Sequence, residues 1–148
     1  MWFRRSFVGD MSFGKAGELL AHPVLEKFFD TKLIHNPNPR APFDFENDEI
    51  AIEQKTRRCK KDTYADTMLQ YNKIDNCYLS TYINKEKWFV FLYEDGLYGI
   101  KYDEEAFSKY RREFSKICDR SDKEEKKELR IFIDTKDLIL IPYLETDA

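Results

Sequence analysis

The sequence predicts a single mixed α/β domain built around one central sheet, and three observations lead there. Hydrophobic residues make up 42% and aromatics 16% of the 148 residues, enough to bury a core and too many for a disordered chain. Segments of helical and of strand periodicity follow one another along the chain instead of segregating into halves. No internal repeat or low-complexity stretch suggests a second architecture. Residues 1–148 are therefore expected to form one domain.

The elements follow in order. Residues 12–30 read as helical, with Ser12 as a cap and Ala16, Leu19, Leu20, Val24, Leu25 and Phe28 as a broad apolar stripe. Pro23 interrupts the pattern and either kinks one helix or opens a second. A short strand is expected at 32–35, before the turn-forming run Asn36-Pro37-Asn38-Pro39. Two strands follow at about 42–46 and 49–56, with Asn47-Asp48 as the hairpin turn between them. A second helix is expected to start between Asp62 and Asn72 and to run towards Ile83, with tyrosines 64, 71, 78 and 82 packed along one face. Trp88 to Tyr93 and Leu97 to Tyr102 are β-rich, and Asp95-Gly96 between them signals a hairpin. Glu104 to Cys118 reads as an amphipathic helix capped by Asp103, with Phe107, Tyr110, Phe114 and Ile117 inward and Lys109, Arg112 and Lys116 on its polar face. The charged run Asp119 to Glu128 reads as a solvated loop or helix end, and residues 130–133 and 138–141 as closing strands.

Composition narrows the function. Net charge is −3, which argues against a protein that coats nucleic acid indiscriminately. It leaves room for a basic groove beside acidic flanks. Cys59, Cys77 and Cys118 are odd in number and have no zinc-ligand spacing, so they read as free thiols. No apolar run approaches the ~20 residues of a membrane span, and Met1-Trp2-Phe3-Arg4-Arg5 lacks the apolar stretch of a signal peptide. The expectation is a soluble intracellular protein with no membrane partner. His22 and His35 are isolated in sequence and read as structural, and no glycine-rich phosphate loop or Ser-His-Asp ordering is present.

The chemistry concentrates in Phe43-Asp44-Phe45 and Glu49-Ile50-Ala51-Ile52-Glu53-Gln54-Lys55. Side chains alternate along a strand, so Glu53 and Lys55 share one face while Ile50 and Ile52 take the other. Asp44 lies on the preceding strand, flanked by two phenylalanines expected to face away from it. Pairing through the 47–48 turn would bring Asp44 beside Glu53, with Asp48 as the alternative acid. Two carboxylates can hold Mg²⁺ and leave positions for water and phosphate, and a lysine can stabilise charge developing on phosphate. The carbonyl of Gln54 is a further possible ligand. Arg57, Arg58, Lys60 and Lys61 follow directly and could grip a phosphate backbone.

Asp44 followed nine residues later by Glu53-Gln54-Lys55 resembles the bipartite motif of the PD-(D/E)XK nuclease superfamily. Gly14-Lys15-Ala16-Gly17-Glu18 resembles that family's first helix, with Glu18 at the place of its added glutamate. The resemblance covers about residues 12–93 and implies a restriction-endonuclease-like core of helix, three strands, helix and strand. Residues 94–148 would be a hairpin, helix and strand extension. It implies Mg²⁺-dependent cleavage of phosphodiester bonds, with Mn²⁺ able to substitute. Asp44 and Glu53 would bind metal, Glu18 would assist, Lys55 would be the catalytic lysine and Lys73 an auxiliary one. DNA is the expected partner and RNA the alternative, with a homodimer or partner protein extending so small a domain. The chain departs from the family pattern in having Phe43 before Asp44 and a polar residue, Gln54, where an apolar one is usual. A catalytically weak or inactive module of the same fold, kept for nucleic-acid or protein contacts, is the competing expectation.

Overall fold

The computed structural model describes residues 10–118 and 125–142. The elements are α1 (Asp10–Phe29), β1 (Ile34–His35), β2 (Phe45–Glu46), β3 (Ile50–Thr56), β4 (Asp66–Gln70), α2 (Asn72–Asp75), β5 (Glu86–Tyr93), β6 (Gly96–Lys101), α3 (Glu104–Phe107), β7 (Arg111–Cys118), β8 (Glu125–Asp134) and β9 (Ile139–Ile141). A mixed sheet of six strands runs β1-β2-β3-β5-β6-β9, and a smaller sheet runs β4-β8-β7. The fold is thus mixed α/β, as the alternating periodicities predict, with two sheets in place of one.

Three layers result. On one face of the large sheet, Ala21 and Leu25 of α1 pack with Phe45, Ile50, Ile52, Val90 and Leu92. On the other face, Phe43, Ala51, Phe89 and Phe91 pack against Leu69, Ile131 and Ile133 of the small sheet. β3 and β5 are the central pair and, among the described residues, the only parallel one. Both are buried over most of their length, as expected for strands covered on two sides.

α1 is one continuous helix that contains Pro23. The ring removes the hydrogen bond to Leu19, and both residues are exposed, so the freed carbonyl lies on the solvent side. The buried line is narrower than the expected stripe. It runs Phe13, Gly17, Ala21, Leu25, while Leu19 is 65% exposed. Small residues along this line let the helix lie close on β3. A Cβ on Gly17 would stand 2.2 Å from Thr56 Oγ1. A Cβ on Gly14 would meet nothing within 4 Å. Gly17→Ala is therefore expected to lower stability by about 1–3 kcal/mol through overpacking, although alanine favours helix. Gly14→Ala should raise it by up to about 1 kcal/mol. Urea denaturation of the two variants gives opposite signs on this account; a gain at both positions would mean α1 does not seat as described.

Two expected helices are corrected. The segment from Asp62 to Ile83 holds strand β4, the four-residue helix α2 and a 3₁₀ turn at Asn76–Tyr78. The tyrosines there do not share a face: Tyr64 and Tyr78 are exposed and Tyr82 is buried. The segment from Glu104 to Cys118 is helical only to Phe107, then becomes strand β7. Asp103 does cap α3, accepting from Glu105 N at 3.2 Å. Phe107 and Tyr110 are buried, but Phe114 is 69% exposed. Lys109 and Arg112 consequently lie on no common helix face. Of the charged run, residues 125–128 belong to β8, and 119–124 lie outside the described residues. Cys59 and Cys77 are free thiols.

Candidate active site

The site forms where β2 leaves β3. Asn47 closes the turn between them, its Oδ1 accepting from Glu49 N at 2.8 Å and Ile50 N at 2.9 Å. The strands pair through Phe45↔Ile52 and Glu46↔Ala51. Asp44 N still donates to Ile52 O at 2.9 Å, but the next rung is made by a side chain: Gln54 N donates to Asp44 Oδ2 at 2.8 Å. The chain bends here, so Phe43 and Phe45 enter different core layers, not the common face expected of them. Asp44 thereby sits at the fork, beside the exposed edge of β3.

Glu53 and Lys55 project from that edge on one side. Glu53 is 3% exposed. Its Oε2 lies 3.4 Å from Lys55 Nζ and 3.0 Å from Lys73 Nζ. Lys73 was expected on a long helix; it reaches Glu53 from the short α2. Burial pushes the Glu53 carboxyl up to about 7, Asp44 adds to the rise, and the two lysines oppose it. Burial also raises Asp44, against the lowering effect of the Gln54 amide, and the Glu18 charge adds to the rise. The Asp44 charge raises Glu53, and contact with Glu53 lowers Asp44, so the two carboxyls titrate as a coupled pair.

Glu18 stands on α1 on the far side of Asp44. Its Oε1 is 2.7 Å from His35 Nε2, and the His35 ring is stacked on Phe45 with centroids 4.9 Å apart. His35 is the residue that sequence reasoning missed. Its partner lies 17 positions away, beyond any local pattern. His22 is structural as expected, its Nε2 2.8 Å from Leu33 O.

The basic residues after the motif divide. Arg58 lines the cleft, with its guanidinium 4.2 Å from the centre of the Phe13 ring. Lys60 is exposed outside the cleft lining. Arg57 also lines the cleft, but its guanidinium is engaged internally: Nε donates to Thr67 Oγ1 at 3.2 Å and Nη2 to Met68 O at 2.5 Å. The guanidinium also lies over Phe91, joining the small sheet to the large one. Lys61 is turned away, 3.3 Å from Asp62 and 3.5 Å from Thr135 O.

Gln54 faces α1, away from Glu53. Both its amide atoms are buried without a partner among the described residues. An unmet buried amide costs about 1–3 kcal/mol, so Gln54→Leu is expected to raise stability by about 1–2 kcal/mol in chemical denaturation. A fall of that size would instead reveal a hydrogen-bonded internal water at the amide.

The donor set suits a hard divalent cation. Two adjacent carboxylates, each costly to ionise alone in this setting, would both be relieved by one cation between them. Among the described residues no three His, Cys, Asp or Glu side chains form a ready-made metal cage. Mg²⁺ does not need one, since it binds through one or two carboxylates and keeps its waters. A cleft of about 720 Å³ opens above the pair. Lys15, Lys55, Lys73 and Arg58 line it with Glu18, Asp44 and Glu53, so it is balanced or cationic in a chain of net charge −3.

Comparison of the chain with protein-family models, curated proteins and solved structures gives no match. The class of protein is therefore defined by fold and site alone: a mixed α/β domain with a carboxylate–lysine centre at a strand fork. Among the described residues, no helix is long and apolar enough to cross a membrane.

Proposed function

We propose that this chain is a metal-dependent nuclease of the restriction-endonuclease-like type, hydrolysing phosphodiester bonds in DNA. One observation carries the reading: Asp44, Glu53 and Lys55 meet at the floor of a cleft, with Lys73 on the same carboxylate. An ion pair alone does not require a second carboxylate beside the first, since its charge raises the cost of ionising the buried Glu53. The order of α1, the β1-β2-β3 meander, α2 and parallel β5 supports the family resemblance. β4 is added within it.

Asp44 and Glu53 would hold Mg²⁺ or Mn²⁺, and the Gln54 carbonyl would be a further ligand. The metal, when bound, supplies Lewis acidity towards phosphate and a more acidic water. Lys55 places a positive charge where negative charge grows on the phosphoryl oxygens. Lys73 holds Glu53 in place and favours its ionised form. Glu18, oriented by His35, is the remaining acid beside Asp44 and would accept a hydrogen bond from water in the cleft. Lys15 and Arg58 would bind flanking phosphates.

The test is cleavage of labelled linear, branched and flap DNA, and of RNA, in Mg²⁺ or Mn²⁺, comparing wild type with Lys55→Ala. The expected result is cutting of at least one DNA by wild type and a loss of about 10²–10³-fold in the variant. Equal rates would place the activity elsewhere.

One observation favours a second reading. Glu53 already contacts two lysines, so the cluster could serve a binding module without catalysis. Metal separates the two. Saturating Mn²⁺ at about 100 times its Kd stabilises a binding-competent fold by about 2.7 kcal/mol, whereas an ion-paired cluster without affinity shows no shift in Tm.

A further inference from the structure

The cleft has walls as well as a floor, and both walls are braced. One wall is the loop from Asn36 to Ala41. Asn36 N donates to Asp44 O at 2.8 Å, and Asn36 Nδ2 to Phe43 O at 2.9 Å and Glu46 Oε2 at 3.0 Å. Asn38 Oδ1 accepts from Arg40 N at 2.9 Å, and its carbonyl from Ala41 N at 3.0 Å. Pro37 and Pro39 fix φ at alternate positions between these anchors. The other wall is the first half of α1, held down on β3 at Gly17 and Thr56. The Glu18–His35 contact at 2.7 Å ties one wall to the other. These contacts brace both walls of the cleft.

Two further observations limit what enters. Glu53 lies at the floor, 3% exposed, so a scissile phosphate must descend between the walls to reach it. The volume of about 720 Å³ falls in the ~300–1,000 Å³ range of small-ligand sites, room for about two nucleotides on that scale. The basic side chains that line this volume are Lys15, Lys55, Lys73, Arg57 and Arg58. The Arg57 donors are engaged on Thr67 and Met68, and Lys61, which would have extended a phosphate track beyond the cleft, is spent on internal contacts. A duplex is convex, keeps its phosphates on a rigid outer surface, and gains affinity by touching many of them across a broad basic face. A single strand can bend, splay its bases and thread a narrow groove.

Resting on the nuclease reading above, we infer that this cleft takes single-stranded or locally unpaired nucleic acid, and that the braced loop at 36–41 keeps intact duplex away from Glu53. The discriminating experiment is fluorescence anisotropy in Ca²⁺ at fixed salt. It uses one labelled oligodeoxynucleotide of about 12 nucleotides, within the span of single-strand sites. The strand is presented alone, as a blunt duplex, as a duplex with a single-stranded tail, and as its RNA counterpart. The free strand and the tailed duplex are expected to bind at least 10-fold tighter than the blunt duplex. The RNA arm tells which sugar is preferred. Blunt duplex binding as well as the free strand, or neither binding, overturns the inference. Cleavage in Mn²⁺ is read in parallel on the same samples. Strand-selective binding without cutting would defeat the nuclease reading and leave the strand preference standing. As a second arm, Pro37→Gly with Pro39→Gly loosens one wall. It should cut the preference for the single strand over the blunt duplex several-fold, read as the ratio of the two affinities. An unchanged ratio would remove the loop from the inference.

Discussion

Glu53→Gln should lose cleavage by at least ~10³-fold while being no less stable than wild type at pH 8. The two halves of that result come from the same burial. Glutamine keeps the shape of the side chain and one oxygen acceptor towards Lys73 and Lys55. It removes the negative charge that would hold the metal against Asp44, so the catalytic loss is large. The folded protein resists ionising Glu53, whose carboxyl is pushed up to about 7. At pH 8 wild type bears the cost of a buried carboxylate, and the amide does not. The lysines lose a partner but are not stranded, because Asp44 ionises more readily once its neighbour is neutral, and both reach solvent at the cleft. A net gain of about 1–2 kcal/mol corresponds to a Tm rise of about 3–6 °C for a chain of this length. Parallel melting curves and cleavage rates decide the matter. A variant that is inactive and also several degrees less stable would mark Glu53 as part of a structural ion cluster. A variant that still cuts would remove Glu53 from the site.

The same substitution separates this centre from the core beneath it. Ala51 and Ile52 are wholly buried beside Glu53. A large-to-small change at Ile52 is expected to cost about 2–5 kcal/mol and to reduce activity only through loss of folded protein. Activity and stability thus move together at positions facing the core and apart at positions facing the cleft.

What the sequence made visible was what is local. The fork is built from two strands joined by three residues, Asn47 to Glu49, so the spacing of Asp44, Glu53 and Lys55 carries their meeting almost by itself. The β5–β6 hairpin was legible for the same reason, although Gly96 begins β6 where a turn residue was expected. The misread segments depend on partners far along the chain. β4 is a strand because Asp66 to Gln70 pair with residues 130–134, sixty or more positions later. β7 has no strand signature of its own. Arg111, Arg112, Glu113 and Phe114 are all exposed, as an edge strand permits, and no alternation distinguishes them. The spacing of Phe107, Tyr110 and Phe114 then imitates a helical stripe. The Glu18–His35 contact and the Arg57 clamp were hidden likewise: each joins elements that only the folded sheet brings together.

Proton linkage gives the second large effect, and its sign is opposite to that of most carboxylates. A free glutamate in the unfolded chain titrates near 4.5, and Glu53 in the folded protein near 7. Between these values the folded state holds a proton that the unfolded state has released. Its contribution is therefore fully present below about pH 4.5 and is lost as pH rises through 7, at a cost of about 3 kcal/mol. Asp44 is raised as well and acts in the same direction. Metal-free protein should accordingly lose stability between pH 5 and 8, over the range where ordinary ion-paired carboxylates are already ionised and leave stability nearly level. Mg²⁺ or Mn²⁺ held by the two carboxylates would take the place of this proton, so the metal should restore most of the loss at pH 8 and little of it at pH 5. Metal affinity should rise steeply over the same interval, with protons released on binding. Lys73→Met removes the closest cation from Glu53 and should move this whole pattern to higher pH. Denaturation midpoints measured at several pH values, with metal and with chelator, test each part. If stability rises steadily from pH 5 to 8 without metal, the carboxylate pair is ionised in the resting protein, and proton displacement plays no part in loading the site.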